Sequence, residues 1–419
     1  MVVQRSQRRD APAAALLIAF ILCIAFTTIY LNVAMEEVSW ATTVGRFNLH
    51  HARMRFVRSK AETPNIETVN ATESRRTIVL IANYRDSIRC AETLNSLFTR
   101  ADHPELLDIS LVDQIYEHLN ETRCFDLYCM NVGEAACRRG QLRYNETIHA
   151  DNATGPTLAR YCTEKGIDLT TDAFALAIDS HLVFVPHWDT ELKAQWDSIG
   201  NPNAVMTGYP RSTMNMPSED WSQLKLRNTT QLMCTAFIET KDADAMIQYG
   251  GTTPVAKPLT PQLMSQFAGG FNFGSAKQAL EVRNDPYTPY LFHGEEYSKA
   301  ARLFTHGYDM YAPSQDIAFH WFEKRNVIWE KNWSARYVIQ QRSKRRIRRV
   351  LGLPTTSDDY DATDIHLFSL GTKRTFKQFQ NFSGIDPLAA YAGTKGNQFN
   401  NCRLLDFVPI DDGSVDLGH

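Results

Sequence analysis

Asp179, Ser180 and His181 place a carboxylate and an imidazole two residues apart at the end of an apolar run. The run, residues 173–178, has the composition of a buried strand. Side chains two residues apart on a strand point to the same face, so one ligand could contact both. Asp and His suit Mn²⁺ or a similar divalent ion, and ligands bind at the carboxyl ends of strands in open α/β sheets. A plain strand-end turn is the alternative, since Asp and Ser are common there.

The surrounding sequence predicts the elements that would position this tripeptide. Strand-like segments lie at 77–82, 108–112, 174–178, 182–185 and 203–209, and helix-like segments lie at 87–99 and 151–161. This alternation predicts an α/β fold with a mixed, mostly parallel sheet flanked by helices. The block from 76 to 410 is long for one domain but acceptable for an elaborated α/β enzyme.

The N-terminal region predicts a membrane anchor. Residues 1–10 carry Arg5, Arg8 and Arg9, and residues 11–35 contain no charged side chain. An apolar segment of this length can span a hydrocarbon core of about 30 Å, whereas a cleaved signal peptide has a core of about 7–15 residues. Because the basic flank stays cytosolic, we expect a cytosolic tail (1–10), a transmembrane signal-anchor helix (11–35), a stem (36–75) and a lumenal domain (76–410).

Sequons and cysteines fit a lumenal location. Seven Asn-X-Ser/Thr sequons begin at Asn70, Asn120, Asn145, Asn152, Asn228, Asn332 and Asn381, and this density is typical of a glycosylated domain. Seven cysteines follow the anchor. Those from Cys124 to Cys162 could close one or two disulfides in an oxidising lumen, and the odd total leaves at least one thiol unpaired.

Charge gives little indication of a partner. The formal net charge of −3 is nearly balanced, so nothing points to nucleic acid. The basic run at 344–349 is the exception, and we interpret it as the solvated face of a helix. Contact with a phosphate or an acidic acceptor is the alternative.

Other segments could complete a nucleotide-sugar site around Asp179. Ala82, Asn83, Tyr84 and Arg85 follow the first strand, where backbone N–H groups and an aromatic ring can meet a base or ribose. An ordinary loop with a capping Asp86 is the alternative. The chain has no glycine-rich phosphate cradle in this region, which favours phosphates held by a metal.

Three later features also have two interpretations each. Gly269 and Gly270 permit close backbone approach to a ligand, or they form a bulge. Glu295 and Glu296 are either catalytic carboxylates or acids favoured in a first helical turn. His320, within an apolar stretch, is either a metal ligand or a core histidine.

In this order the segments resemble the polypeptide α-N-acetylglucosaminyltransferase family, which includes Skp1-hydroxyproline GlcNAc-transferases and protozoan mucin-type O-GlcNAc-transferases. The matching residues are 81–86, 153–160, 178–181, 188–189, 293–296, 302–309, 319–320, 346–353, 370–375 and 382–386. The resemblance covers about residues 76–390. It implies a GT-A fold, UDP-GlcNAc as donor, Mn²⁺ or Mg²⁺ as cofactor, and retention of anomeric configuration.

The resemblance also implies roles for individual residues. Asp179, His181 and His320 match a metal triad, and Glu295 or Glu296 would orient acceptor or sugar hydroxyls. Donor contacts are expected from Ala82, Asn83, Tyr84, Arg85, Arg160, Asp179, Ser180, Gly269 and Gly270. A loop closing over the donor is expected near 267–274 or 344–356.

The anchor and sequons favour the mucin-initiating branch. We therefore expect a single-pass type II protein of the Golgi membrane that transfers GlcNAc to Ser, Thr or hydroxyproline of a polypeptide. The acceptor would be mucin-like and Thr-rich, or hydroxyproline-containing. A metal-dependent nucleotide-sugar hydrolase and a non-catalytic, membrane-tethered sugar-binding glycoprotein remain as alternatives.

Overall fold

The computed structural model describes residues 75–217, 220–323, 333–393 and 396–410. The predicted tail (1–10) and transmembrane helix (11–35) lie outside these ranges, as does the stem (36–75) except for Arg75. Within the described ranges, no helix combines the length and apolar character that a bilayer crossing requires. The described residues belong to the unit spanning Val69–His419.

Sixteen strands occur in the described residues. In chain order they are β1 (Thr77–Tyr84), β2 (Leu107–Ile115), β3 (Leu142–His149), β4 (Phe174–Asp179), β5 (Leu182–Phe184), β6 (Ala204–Thr207), β7 (Arg211–Ser212), β8 (Thr229–Met233), β9 (Thr235–Ile238), β10 (Ile247–Tyr249), β11 (Thr252–Ala256), β12 (Gln262–Met264), β13 (Phe271–Ser275), β14 (Asp309–Ala312), β15 (Ala318–His320) and β16 (Phe399–Asn400).

Eight α-helices occur in the same residues. They are α1 (Ser87–Thr99), α2 (Cys124–Val132), α3 (Pro156–Thr163), α4 (Trp188–Ile199), α5 (Ala276–Glu281), α6 (Glu295–Thr305), α7 (Trp333–Val350) and α8 (Phe376–Ser383).

The central sheet has eight strands in the order β12-β14-β6-β13-β4-β1-β2-β3. β1 pairs in parallel with β2 and β4, β2 with β3, and β14 with β6, whereas β13 and β12 run antiparallel to their neighbours. The predicted α/β class with a mixed, mostly parallel sheet is confirmed. The chain extends the sheet from β1 to β3 on one side and then places β4 on the other. The β1–β4 boundary is therefore a topological switch point, where ligands bind in open α/β sheets.

Smaller sheets surround this centre. β9 pairs with β10 and β16, β8 with β11, and β15 with β5 and β7. The central strands are apolar because both sheet faces are covered: in β1, each residue from Ile78 to Ile81 is at most 4 % exposed.

Two expectations about local structure are corrected. The predicted helix at 151–161 begins only at Pro156, because Gly155 has φ +109° and cannot continue from the preceding short turn. The predicted closing loop at 267–274 overlaps β13, a central strand between β4 and β6. The other candidate, 344–356, begins inside α7. The expectation of a mobile loop is therefore wrong for the residues of both segments that lie in these elements.

Six cysteines form three disulfides, Cys90–Cys124, Cys129–Cys137 and Cys234–Cys402. Cys162 is free and buried, which confirms the expected unpaired thiol. Only Cys129–Cys137 lies within the predicted cysteine group. The Cys234–Cys402 bond attaches the segment after β16 to the start of β9, next to a hydrogen bond of 2.9 Å from Asn401 N to Cys234 O.

The sequon asparagines within the described residues are all exposed. They are Asn120, Asn145, Asn152, Asn228 and Asn381. Exposure is what an attached glycan requires, since it is bulky and must lie on the surface.

The interpretation of residues 344–349 as a solvated helix face is wrong for half of the run. Three of its side chains are at most 4 % exposed: Lys344, Arg346 and Arg348. A buried cation needs a partner. Lys344 contacts the Glu239 carboxylate, and Arg346 Nε donates to Asp285 Oδ2 at 2.8 Å. The run therefore fixes α7 to the domain.

Asp113 in β2 is a buried carboxyl that predicts a pH effect on stability. Burial raises its pKa to about 7, although hydrogen bonds from Asn83 Nδ2 (2.7 Å) and Cys124 N (3.2 Å) oppose the shift. An unfolded Asp titrates near pH 3.9, so the stability this group contributes is present below about pH 4 and is lost as pH rises through 7. We expect the free energy of unfolding to fall less between pH 5 and 7 in Asp113→Asn than in the wild type, as measured by urea denaturation. An equal fall would contradict this assignment.

Candidate active site

A cavity of about 410 Å³ opens at the edge of the central sheet where its parallel strands end. Four neighbouring strands contribute to its wall. Tyr84 is the last residue of β1 and Asp179 is the last residue of β4, while Gly270 precedes β13 and Tyr209 follows β6. Neighbouring strands lie about 4.8 Å apart, so these four positions span roughly 14 Å in strand order. An elongated ligand lying along this edge would contact all four.

Asp179, His181 and His320 come together at this edge. Each offers a ligand atom, and these atoms lie within 4.8 Å of one another. His320 Nε2 is 3.4 Å and His181 Nε2 is 3.9 Å from Asp179 Oδ2. One carboxylate and two imidazoles form a donor set that suits Mn²⁺ and other borderline divalent ions. The residues therefore fit the metal that the sequence predicted.

The two carboxylate oxygens of Asp179 contact different neighbouring residues. Oδ2 faces the histidines, and Oδ1 accepts a hydrogen bond from Arg160 Nη2 at 3.2 Å. Burial alone would raise the pKa of Asp179, but His320, His181 and Arg160 together hold it well below its usual value. The side chain is therefore a carboxylate, the form that a metal requires.

Asp86 lies beside His181, the second residue of the metal triad. Its Oδ2 lies 3.6 Å from His181 Nδ1, and its Oδ1 accepts a hydrogen bond from Arg89 Nε at 2.9 Å. Asp86 occupies the N-cap position of α1, but its side chain makes no capping hydrogen bond. The capping interpretation is therefore wrong. A carboxylate behind a metal-ligating histidine fixes the orientation of the ring.

Arg160 joins the metal triad to the glutamate pair. Its Nη1 contacts Glu295 Oε1 while Nη2 contacts Asp179, and its side chain is only 16 % exposed. Glu295 and Glu296 begin α6, where the positive end of the helix dipole favours carboxylates. Asp179, Arg160 and Glu295 thus form one continuous charged network along the cavity wall.

Glu296 lies beside this network. Oε1 accepts a hydrogen bond of 2.8 Å from Gly269 N, and Oε2 accepts one from the Tyr209 hydroxyl. Burial, with the neighbouring Glu295 charge adding to it, raises the pKa of Glu296 to about 7 despite these hydrogen bonds. A carboxyl that titrates near neutrality can hold or release a proton under physiological conditions.

Gly269 and Gly270 are required by close contacts. A Cβ atom at Gly270 would lie 2.5 Å from Asp179 Oδ2, and one at Gly269 would lie 2.5 Å from Arg160 Nη1. Both distances are far below van der Waals contact. The glycines therefore allow β13 to approach the charged network.

We expect Gly270→Ala to lower activity at least about tenfold, because the new methyl group displaces the carboxylate that faces both histidines. The apparent affinity for Mn²⁺ should fall in the same titration of enzyme activity. Gly140→Ala is the matched control, since a Cβ at Gly140 has no neighbour within 4 Å. Equal activity of the two variants would show that Asp179 tolerates displacement.

Most of the predicted site residues line the cavity. They are Ala82, Tyr84, Arg160, Asp179, Ser180, His181, Gly270, Glu295, Glu296 and His320. Asn83 and Arg85 are directed elsewhere: Asn83 Nδ2 donates to Asp113, and Arg85 pairs with Glu121 at 2.6 Å. Gly269 contributes its N–H to Glu296. These three residues support the wall of the cavity and do not form part of it.

Sequence reasoning missed several lining residues. Gln114 from β2, Tyr209 after β6 and Tyr249 from β10 reach the cavity from separate elements, and Phe292 and Phe322 are exposed residues of its wall. Tyr209 was visible only as the residue before Pro210 at the end of a strand.

Similar solved structures include two glycosyltransferase complexes. The structure of GalNAc-T7 with UDP, GalNAc and Mn²⁺ matches with a TM-score of 0.47 and 13 % identity over 74 % of this chain and 56 % of that chain. TarS 1-349 from S. aureus with UDP-GlcNAc matches with a TM-score of 0.39 and 15 % identity, over 68 % of each chain. This chain thus spans little more than half the length of the GalNAc-T7 chain. A comparison with curated protein sequences finds no match.

The model of one protein family matches more than half of the chain. The matched residues, 120–389, include the metal triad, Arg160 and both glutamates. The chain belongs to the glycosyltransferase (GlcNAc) family.

Proposed function

We propose that this chain is a metal-dependent, retaining UDP-GlcNAc:polypeptide α-N-acetylglucosaminyltransferase. It is anchored as a single-pass type II protein in the Golgi membrane with its catalytic domain in the lumen. The observation that carries the proposal is the convergence of Asp179, His181 and His320 at the topological switch point of a GlcNAc-family domain.

The strand order supports an orientation for the donor. Tyr84 and Gln114, from β1 and β2, lie on the side where an aromatic ring and an amide can meet the uracil and ribose. Asp179 follows at β4, beside the diphosphate. Glu295 and Glu296 lie further along the wall, where their carboxylates accept hydrogen bonds from hydroxyls of the sugar or the acceptor.

Asp179, His181 and His320 would hold the divalent ion. Bound there, it supplies Lewis-acid stabilisation of the charge that develops on the UDP leaving group. Arg160 keeps the Asp179 carboxylate in place and adds a fixed positive charge to the same wall. Glu296, held by Tyr209 and Gly269, positions a hydroxyl without rearranging during the reaction.

The covalent features of the domain support the proposed compartment. Three disulfides are typical of an oxidising environment. Exposed sequon asparagines fit a chain that passes the glycosylation machinery. The basic N-terminal flank and the apolar segment at 11–35 predict the orientation.

A transfer assay on the full chain in detergent tests the proposal. UDP-GlcNAc, UDP-GalNAc and UDP-glucose are each offered with Thr-rich and hydroxyproline peptides, first with EDTA and then with added Mn²⁺. We expect Mn²⁺-dependent addition of one GlcNAc to a peptide, with an α-linkage in the NMR spectrum of the product. Free GlcNAc with no modified peptide would indicate a hydrolase, and donor binding without turnover would indicate a sugar-binding protein.

A further inference from the structure

Tyr249 lies in the cavity wall with an unsatisfied hydroxyl. It closes β10, is 6 % exposed, and its hydroxyl oxygen is buried without a hydrogen-bond partner among the described residues. Leaving a buried hydroxyl unpaired costs free energy, and such a group in a native structure needs an explanation.

Tyr249 lies near Tyr209 and Glu296. It belongs to the three-stranded sheet formed with β9 and β16, and it interacts electrostatically with Tyr209 and Glu296, which also line the cavity. Burial raises the pKa of Tyr249 well above its usual value, and the neighbouring Tyr297 and Glu296 add to the shift. The hydroxyl therefore keeps its proton and is a hydrogen-bond donor.

The surroundings of Tyr249 differ from the rest of the wall. Ile247, 3 % exposed, and Gln248 line the cavity from the same strand, so this part of the wall combines apolar surface with the Tyr249 hydroxyl and one amide group. A sugar hydroxyl would find better partners at the carboxylates of Glu295 and Glu296. An acetamido group suits Tyr249 and Ile247 instead, because its carbonyl oxygen only accepts hydrogen bonds and its methyl group is apolar.

We propose that Tyr249 determines donor specificity by donating its hydroxyl hydrogen bond to the acetamido carbonyl of a 2-acetamido sugar, whose methyl group packs on Ile247. This inference rests on the proposed function and adds to it the residue that distinguishes an N-acetylhexosamine from a plain hexose. A site that is built to pair with a substrate group discriminates strongly against an analogue that lacks it, because its own polar group is then left unpaired.

Tyr297 provides a matched control for the missing hydroxyl. Its hydroxyl is also buried without a partner among the described residues, and its ring lies 6.4 Å from the Tyr249 ring, but it is not one of the residues that line the cavity. Tyr249→Phe and Tyr297→Phe thus remove the same atom from adjacent places, one at the cavity and one behind it.

The experiment measures kcat/KM with UDP-GlcNAc, UDP-GalNAc and UDP-glucose for the full chain and both variants, together with the Kd of each donor in Mn²⁺ without acceptor. We expect Tyr249→Phe to lower kcat/KM and raise Kd about tenfold for both acetamido donors, the usual effect of one neutral hydrogen bond. The kcat/KM and Kd for UDP-glucose should change less than about twofold. The preference for acetamido donors over UDP-glucose is therefore lost in this variant. Tyr297→Phe should keep the wild-type preference.

Three results would overturn the inference. The first is an unchanged preference in Tyr249→Phe, and the second is an equal loss with UDP-glucose. The third is a changed KM for the peptide with an unchanged donor Kd, which would place the hydroxyl against the acceptor. A wild-type chain that neither binds nor transfers from UDP-GlcNAc would overturn the proposed function as well, and that failure appears in the wild-type measurement alone. Thermal melting of each variant shows that its fold is intact.

Discussion

Asp179→Asn is expected to reduce Mn²⁺-dependent transfer at least a hundredfold, in the range of about 10²–10³ seen when one electrostatic contact to a developing charge is removed. The substitution keeps the size of the side chain and removes its charge. Oδ2 is the oxygen that faces both histidines, so the donor set would lose its only anionic member. Turnover is measured over a range of Mn²⁺ concentrations, and saturating metal should not restore it.

A second measurement separates metal binding from catalysis. A ligand that binds only the folded state raises its stability by an amount that grows with the logarithm of the ligand concentration divided by its Kd. Mn²⁺ should therefore raise the melting temperature of the wild type and leave that of Asp179→Asn unchanged. Asp102→Asn is the control, since it disrupts a 2.6 Å contact with His187 outside the cavity. Wild-type Mn²⁺ dependence in Asp179→Asn would refute the metal assignment.

Arg160→Met should be the most destabilising single change in the site. Arg160 is the shared partner of Asp179 and Glu295, and methionine leaves the buried Glu295 carboxylate and the partly buried Asp179 carboxylate without their shared cation. Breaking a buried pair costs about 3–5 kcal/mol, because an uncompensated charge remains. Urea denaturation measures this loss, and transfer should fall together with it.

Two further variants test the reason for that loss. Arg160→Lys keeps the charge but cannot reach two carboxylates with a planar fork, so it should recover part of the stability and little of the activity. Arg139→Met removes an arginine that also bridges two acids, Glu134 and Asp126, but on the surface with half of its side chain exposed. A surface bridge contributes about 0–1 kcal/mol. If Arg139→Met lowered the free energy of unfolding as much as Arg160→Met, burial would not be the cause of the stability loss in Arg160→Met.

Local sequence patterns predicted the fold better than they predicted the site. Asp179 was recognisable because it ends the apolar run that forms β4, whereas His181 lies in the bend between β4 and β5, so the strand period does not apply to it. The strands at 77–82 and 174–178 were predicted from their continuous apolar runs. His320, 141 residues from Asp179, was assigned only through resemblance, because chain-distant pairing has no local signal.

The corrections share a physical cause. Whether a polar side chain is buried, and which group it pairs with, depends on the residues that pack against it in the fold. Lys344 and Arg346 were predicted to face solvent because their buried ion-pair partners, Glu239 and Asp285, lie far away in the sequence. Asp86 was interpreted as a helix cap because its partner His181 lies far away in the sequence, in the bend between β4 and β5. Tyr249 gave no signal at all, since a single tyrosine in a short strand is an ordinary core residue.

The bond between Cys234 and Cys402 connects the chemistry of the cavity to the redox state of its surroundings. It closes a loop of 168 residues and holds β16 against β9. β9 pairs on its other side with β10, the strand that contains Tyr249. A cross-link over so long a loop contributes about 4–5 kcal/mol in the chain-entropy model. Protein made under reducing conditions would lack this support for one wall of the cavity. Its activity should therefore be lower than that of protein made under oxidising conditions.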